Sequence, residues 1–134
     1  MLRPILADLH IHTVLSACAE VEMIPPLIVE TALEMGISLI AVTDHNSSEN
    51  ILAVQQAARE TPLTVLPGME LQTREEVHSL CLFDSMDQVQ ELQESVNKTL
   101  PMINNQPDHF GEQFVVDETG GFIRTESRLL ITSS

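Results

Sequence analysis

The sequence predicts an α/β fold organised around a parallel sheet, and three observations carry that prediction. Short aliphatic runs alternate with segments of helical periodicity in the order β-α-β-α-β. The runs are too short for buried helices and are bounded by Gly, Pro or polar residues, which marks them as buried strands. Each of the first three runs is closed by side chains suited to divalent metals: Asp8, His10 and His12, then Asp44 and His45, then Glu70. Right-handed crossovers put parallel strand ends on one side of a sheet. Side chains distant in sequence then converge on a single rim.

Residues 3–9 read as the first strand. Pro25 and Pro26 open a helix that runs to Met35, with Ile24, Leu27, Ile28, Thr31, Ala32 and Met35 forming one buried stripe. Gly36 supplies its left-handed stop. Residues 37–42 are the second strand. A second helix starts near Asn46, with Glu49 three residues on as a capping-box-like pair, and ends before Pro62. Residues 63–66 are the third strand, and Pro67-Gly68 lets the chain leave it sharply. Residues 71–73 and 77–83 are further extended segments around the turn at Arg74, Glu75 and Glu76. Ser85 with Gln88 caps a third helix whose inner stripe is Val89, Leu92, Val96 and Leu100. Residues 101–112 read as loop. Residues 114–116 and 122–124 flank a hairpin turn at 118–121, and the tail from Thr132 to Ser134 carries no structural signal. Residues 1–100 thus form a metal-binding β/α domain, and 101–134 extend that same domain.

Composition narrows the function. The 134 residues are enough for one domain, and 43% are hydrophobic. Trp and Tyr are absent and Phe occurs four times, so the core is aliphatic. No apolar stretch is long enough for a membrane helix, and the N-terminus lacks the regions of a signal peptide. Two cysteines, Cys18 and Cys81, make no disulfide framework, which fits a reduced, cytoplasmic setting. Six basic against 20 acidic residues give a net charge of −14, which argues against any broad grip on nucleic acid or an anionic membrane. A phosphate ester remains admissible where bound cations dominate the local field.

His10 and His12 are two apart on a strand, so both imidazoles leave from one face, which Asp8 shares. Leu9 and Ile11 point the other way. His78 lies in the otherwise apolar stretch 77–83. Taken singly, each group has an ordinary structural reading. Asp44 caps the second helix, Glu70 is a solvated loop acid, and His78 is a core or surface histidine. Taken jointly, four ligand-type positions in one topological place point to a metal centre. Cys18, six residues after His12, is within reach of that centre or is a half-buried thiol. Cys81 reads as core and His109 as a solvent-exposed loop residue.

Together, Asp8-Leu9-His10-Ile11-His12-Thr13 with Ser16, Thr43-Asp44-His45-Asn46, Pro67-Gly68-Met69-Glu70 and His78 resemble the PHP family, the polymerase and histidinol phosphatase metal-dependent phosphoesterases. The resemblance covers roughly residues 3–83. It implies a distorted seven-stranded β/α barrel, of which this chain holds the front half: about three to five strands with flanking helices. It implies two or three divalent ions (zinc, manganese or iron) held by His10, His12, His45, Glu70 and His78, with Asp44 in close support. Hydrolysis of a phosphomonoester or small nucleotide by a metal-activated water follows. Asp44 then assists catalysis, and Arg74, the nearest cation, is the candidate for gripping phosphate.

The chain also departs from the pattern. Ala17 stands where the family commonly has an acidic residue, and no Asp-x-His follows residue 83. A second reading is therefore a non-catalytic metal-binding half-barrel that needs a partner or a second copy of itself. A third is a hydrolase of C–N bonds, since amidohydrolase barrels share a His-x-His strand end. Thr43-Asp44-His45-Asn46 favours the phosphoesterase.

Overall fold

The computed structural model describes residues 1–133; the reading of the final serine as unstructured lies outside the described residues. The elements in order are β1 (Ala7–Ile11), α1 (Pro25–Glu34), β2 (Leu39–Val42), α2 (Ile51–Ala57), β3 (Thr64–Gln72), β4 (His78–Leu82), α3 (Met86–Thr99), α4 (Pro107–Phe110), β5 (Phe114–Val116) and β6 (Phe122–Thr125). The first four strands form one curled sheet in the order β1-β2-β3-β4, a half-barrel with helices packed around it. β1, β2 and β3 run parallel, as the alternation predicts. β4 does not: it folds back antiparallel on β3, with Gln72 opposite His78. That reversal returns His78 to the ligand rim from the start of its strand rather than from the end.

The third strand is also longer than its aliphatic run. β3 continues straight through Pro67 and Gly68, so Glu70 lies inside the strand and not past its end. Gly68 is there for proximity. A Cβ on it would stand 2.9 Å from the Cys81 carbonyl oxygen, 2.9 Å from Thr43 Cγ2 and 3.0 Å from the Val42 carbonyl oxygen. Backbone crowding from both neighbouring strands therefore selects glycine. The first strand is likewise displaced toward the C-terminus: it starts at Ala7, leaving Met1, Leu2, Ile5 and Leu6 exposed ahead of it.

α1 follows its two prolines and stops at Gly36, whose φ of 72° lets the Ile37 N–H return to the Ala32 carbonyl at 2.9 Å. Only part of its expected stripe is covered. Ile28, Val29 and Ala32 are buried, whereas Leu27, Thr31 and Met35 stand open beside β1. α2 begins at Ile51 rather than near Asn46, which sits left-handed at φ 51°. Asn50 holds the N-cap position but does not cap the helix, because its amide is occupied elsewhere. It donates to Thr13 Oγ1 (3.0 Å) and the Phe114 carbonyl (2.9 Å), and accepts from the Val116 N–H (3.0 Å).

α3 has its expected cap: Ser85 Oγ accepts from the Gln88 N–H at 3.5 Å, and Gln88 Oε1 accepts from the Asp84 N–H at 2.9 Å. It buries Val89 and Val96. Arg128 closes its other end by donating to the carbonyls of Asn97, Leu100 and Pro101. The 101–112 segment contains the single turn α4, and the β5–β6 hairpin forms where the sequence places it. The hairpin region is tied to the body by Gln113, which is fully buried. Its amide donates to the carbonyls of Glu126 (3.0 Å) and Arg128 (2.8 Å) and accepts from the Leu130 N–H (3.0 Å). The core between sheet and helices is aliphatic, centred on Leu15, Ile40, Val42, Ile51, Val54 and Met69.

Candidate metal centre

The rim is built from four strands. β1 carries His10 and leads into His12, on one face because strand side chains alternate. β2 leads into Asp44 and His45, and His45 pairs in register with Glu70 of β3. The Asn46 N–H donates to the Glu70 carbonyl (3.1 Å) and the Glu70 N–H to the Asp44 carbonyl (3.0 Å). β4 brings His78. The five side chains meet. Glu70 Oε2 lies 2.8 Å from both His10 Nε2 and His12 Nε2, Oε1 lies 2.8 Å from His78 Nδ1, and His45 Nδ1 is 3.9 Å from Oε2. Glu70 is the hub. It is 8% exposed, whereas His10 and His78 at its flanks are 50% and 46% exposed, so the cluster opens to solvent on one side.

Beneath the ligands lies a polar network that fixes their protons. Asp44 is buried and accepts from the Thr13 N–H, Thr13 Oγ1 and Ser16 Oγ, each at 2.7 Å. Thr13 Oγ1 itself accepts from the Leu15 N–H (3.2 Å) and from Asn50, so its proton goes to Asp44. Ser16 gives its own proton to Asp44, and its oxygen accepts the His45 N–H at 3.2 Å. His12 Nδ1 lies 3.0 Å from that same oxygen, so Nδ1 carries the hydrogen. His12 Nε2 then presents a lone pair to Glu70 Oε2 at 2.8 Å and to His10 Nε2 at 3.0 Å. Two acceptors cannot sit that close without a proton or a cation between them.

The electrostatics agree with this arrangement. Burial alone would raise the Glu70 carboxyl, but hydrogen bonds from His78 and His10, with the charges of His45 and His12, hold it down at about 2. Burial lowers His45 to about 4, with His12 adding to the fall and Glu70 opposing it. A neutral imidazole beside an ionised carboxylate is the protonation state that metal binding requires. Burial raises Asp44, and its bonds from Ser16 and Thr13 oppose that rise.

The residues fit a divalent ion. His10 Nε2, His12 Nε2 and Glu70 Oε2 form a triangle with edges of 2.8, 2.8 and 3.0 Å, slightly tighter than the ~3.3 Å between donors in tetrahedral zinc. His45, Glu70 and His78 form a second group, and His12, Cys18 and His45 a third. His45 Nδ1 is buried without a hydrogen-bond partner. Asp44 belongs to none of the three groups and acts on the ligands through Ser16. Arg74 lies exposed in the turn between β3 and β4, and His109 packs against Phe110, with ring centroids 4.5 Å apart, outside all three groups. Asn50 is the supporting residue that sequence reasoning missed, since it ends a polar run, residues 46–50, that reads as a helix start; Thr13 was named in the motif without a role.

The family model of the PHP domain matches residues 8–125. The chain belongs to the PHP family. A solved structure from Bifidobacterium adolescentis, given the provisional name of a metal-dependent phosphoesterase, is similar to it at 27% identity with a TM-score of 0.57. The match covers 72% of this chain and 34% of that one, so this PHP chain spans about a third of the neighbour's length. No curated protein matches the chain. Family and neighbour support a general metal-dependent hydrolase family, and three His, Cys and Glu groups at the rim could each hold a divalent ion. No helix among the described residues is long and apolar enough to cross a membrane.

Proposed function

We propose that the rim hydrolyses a phosphate ester, either a phosphomonoester or a small nucleotide, using two or three divalent ions that His10, His12, His45, Glu70 and His78 would hold. The observation that carries this reading is the division of labour at Glu70, with Oε2 facing His10 and His12 and Oε1 facing His78. Zinc, manganese or iron suits such an imidazole and carboxylate set. Ions bound there supply Lewis acidity and a water acidified to a pKa of about 7. The chain's own residues hold the geometry: Asp44 and Ser16 orient His12, and Glu70 offers one carboxylate oxygen to each side of the cluster. Arg74, exposed in the turn between β3 and β4, is the candidate for gripping the phosphate. The protein's charge of −14 would otherwise repel a phosphate, so the ions are also what admits the substrate.

The test is turnover of monoester, diester and nucleotide substrates by the purified chain, with and without manganese or zinc. Metal-dependent turnover of any class supports the reading; none across all three sinks it. The exposed outer edge of β1 favours one other reading, a metal-binding half-barrel that acts only when a second copy or a partner closes it. That version predicts stoichiometric metal without turnover, and sedimentation that depends on protein concentration.

A further inference from the structure

We propose that Cys18 is a thiolate ligand to a cation shared with His45, and that this position selects zinc over manganese. The inference rests on the metal-centre reading above and adds a ligand to it. Cys18 Sγ lies 3.6 Å from His45 Nε2. Tetrahedral zinc, with bonds of ~2.3 Å to sulfur and ~2.0–2.1 Å to nitrogen, separates such donors by ~3.6 Å. His12 lies within the same reach, since each of the three residues offers a ligand atom and all lie within 4.8 Å of one another.

The surroundings of His45 supply the second line of support. Its side chain is 9% exposed. Among the described residues, Nε2, the nitrogen that faces Cys18, meets only the weakly bonding thiol, while Nδ1 on the other side lacks a hydrogen bond and stands 3.9 Å from Glu70 Oε2. A buried imidazole left that way costs free energy that a metal bond would recover. The thiol is brought there by a tight turn after His12, in which the Ser16 N–H donates to the Thr13 carbonyl (3.0 Å) and the Ala19 N–H to the Ser16 carbonyl (2.9 Å). The thiol has no disulfide partner, because Cys18 and Cys81 are both free. Ion binding forms one sulfur–metal bond and sends the thiol proton to solvent. Thiolate is a soft donor, so it favours zinc, while manganese prefers oxygen ligands.

Cobalt loading of the whole chain tests this. Visible bands report that an ion is bound, and a near-ultraviolet sulfur-to-cobalt band reports the thiolate. Wild type and Cys81→Ser are expected to show both signals. Cys18→Ser should keep the visible bands, lose the near-ultraviolet band, and bind zinc at least ~10-fold more weakly with manganese affinity unchanged. Cys18→His should restore zinc affinity without the sulfur band. Visible bands without a sulfur band in the wild type, or a sulfur band that survives Cys18→Ser, overturn the inference and leave the other metal ligands standing. Absence of all cobalt bands overturns both.

Discussion

β1 and β2 differ in the fold although both are short, parallel and bring imidazoles to the rim. β2 is wholly aliphatic, whereas β1 alternates Ala7, Leu9 and Ile11 with Asp8 and His10. β2 is buried along nearly its whole length, with Ile40, Ala41 and Val42 at 0% exposure. β1 is exposed at every position before Ile11. The difference is neighbours. β2 has a strand on each side, whereas β1 is an edge that meets only β2. Hydrophobicity writes a strand's capacity for burial, and topology decides whether it is used. The centre therefore draws on one well-supported strand and one poorly supported strand. Glu70 of β3 is the tie between the imidazoles of the two.

Removing that tie should have the largest effect. Glu70→Gln is expected to reduce metal-dependent turnover to background and to lower metal content per chain, read by elemental analysis. Near-normal metal content would show that the two strands hold ions independently. The next test is of the comparison itself. Ile40→Ala in β2 should cost ~2–5 kcal/mol in urea denaturation. Leu9→Ala in β1, at 38% exposure, should cost about 1 kcal/mol or less. Equal losses would mean that β1 is covered in solution by something that hides Leu9.

Smaller effects sharpen the picture. Ser16→Ala removes the group that fixes His12 and should weaken metal binding about 10–100-fold while the fold stays intact. Unchanged affinity would place the control of His12 elsewhere. The metal-free chain should also lose stability in acid. His45 has a folded value of about 4 against an ordinary 6.5, so between those values the unfolded chain binds the extra proton. Stability then falls as pH drops from 6.5 towards 4. Glu70, held at about 2 against 4.5, extends the loss to lower pH, because its contribution is present above 4.5 and disappears below about 2. His45→Gln should flatten the upper part of this profile, measured as urea midpoint against pH. Parallel profiles for variant and wild type would count against a buried neutral His45.

Much of this was legible in the amino acids. Alternating periodicity marks the elements, and His10, His12, His45, Glu70 and His78 advertise themselves by type and place. Ser85 with Gln88 announces α3 because that cap is purely local. What failed depended on distant partners. Pro67-Gly68 reads as an exit from a strand, since nothing local reveals that β2 and β4 press on Gly68 from both sides. Asn46 and Glu49 look like a helix start, but Asn46 instead donates to the carbonyls of Leu130 and Thr132, both at 2.8 Å, more than eighty positions away. The stripe of α1 holds only at Ile28 and Ala32, with Val29 buried in addition; Leu27, Thr31 and Met35 stay exposed because the strand beside them has no outer neighbour.

The amide of Asn50 carries one more consequence. Its bonds join Thr13, just after the first ligands, to Phe114 and Val116 near the other end of the chain. On a ribosome, the histidines emerge early and wait. The seam that locks them is sewn only once residues 114–116 have been translated, so nascent protein can meet metal ions before its binding geometry has set.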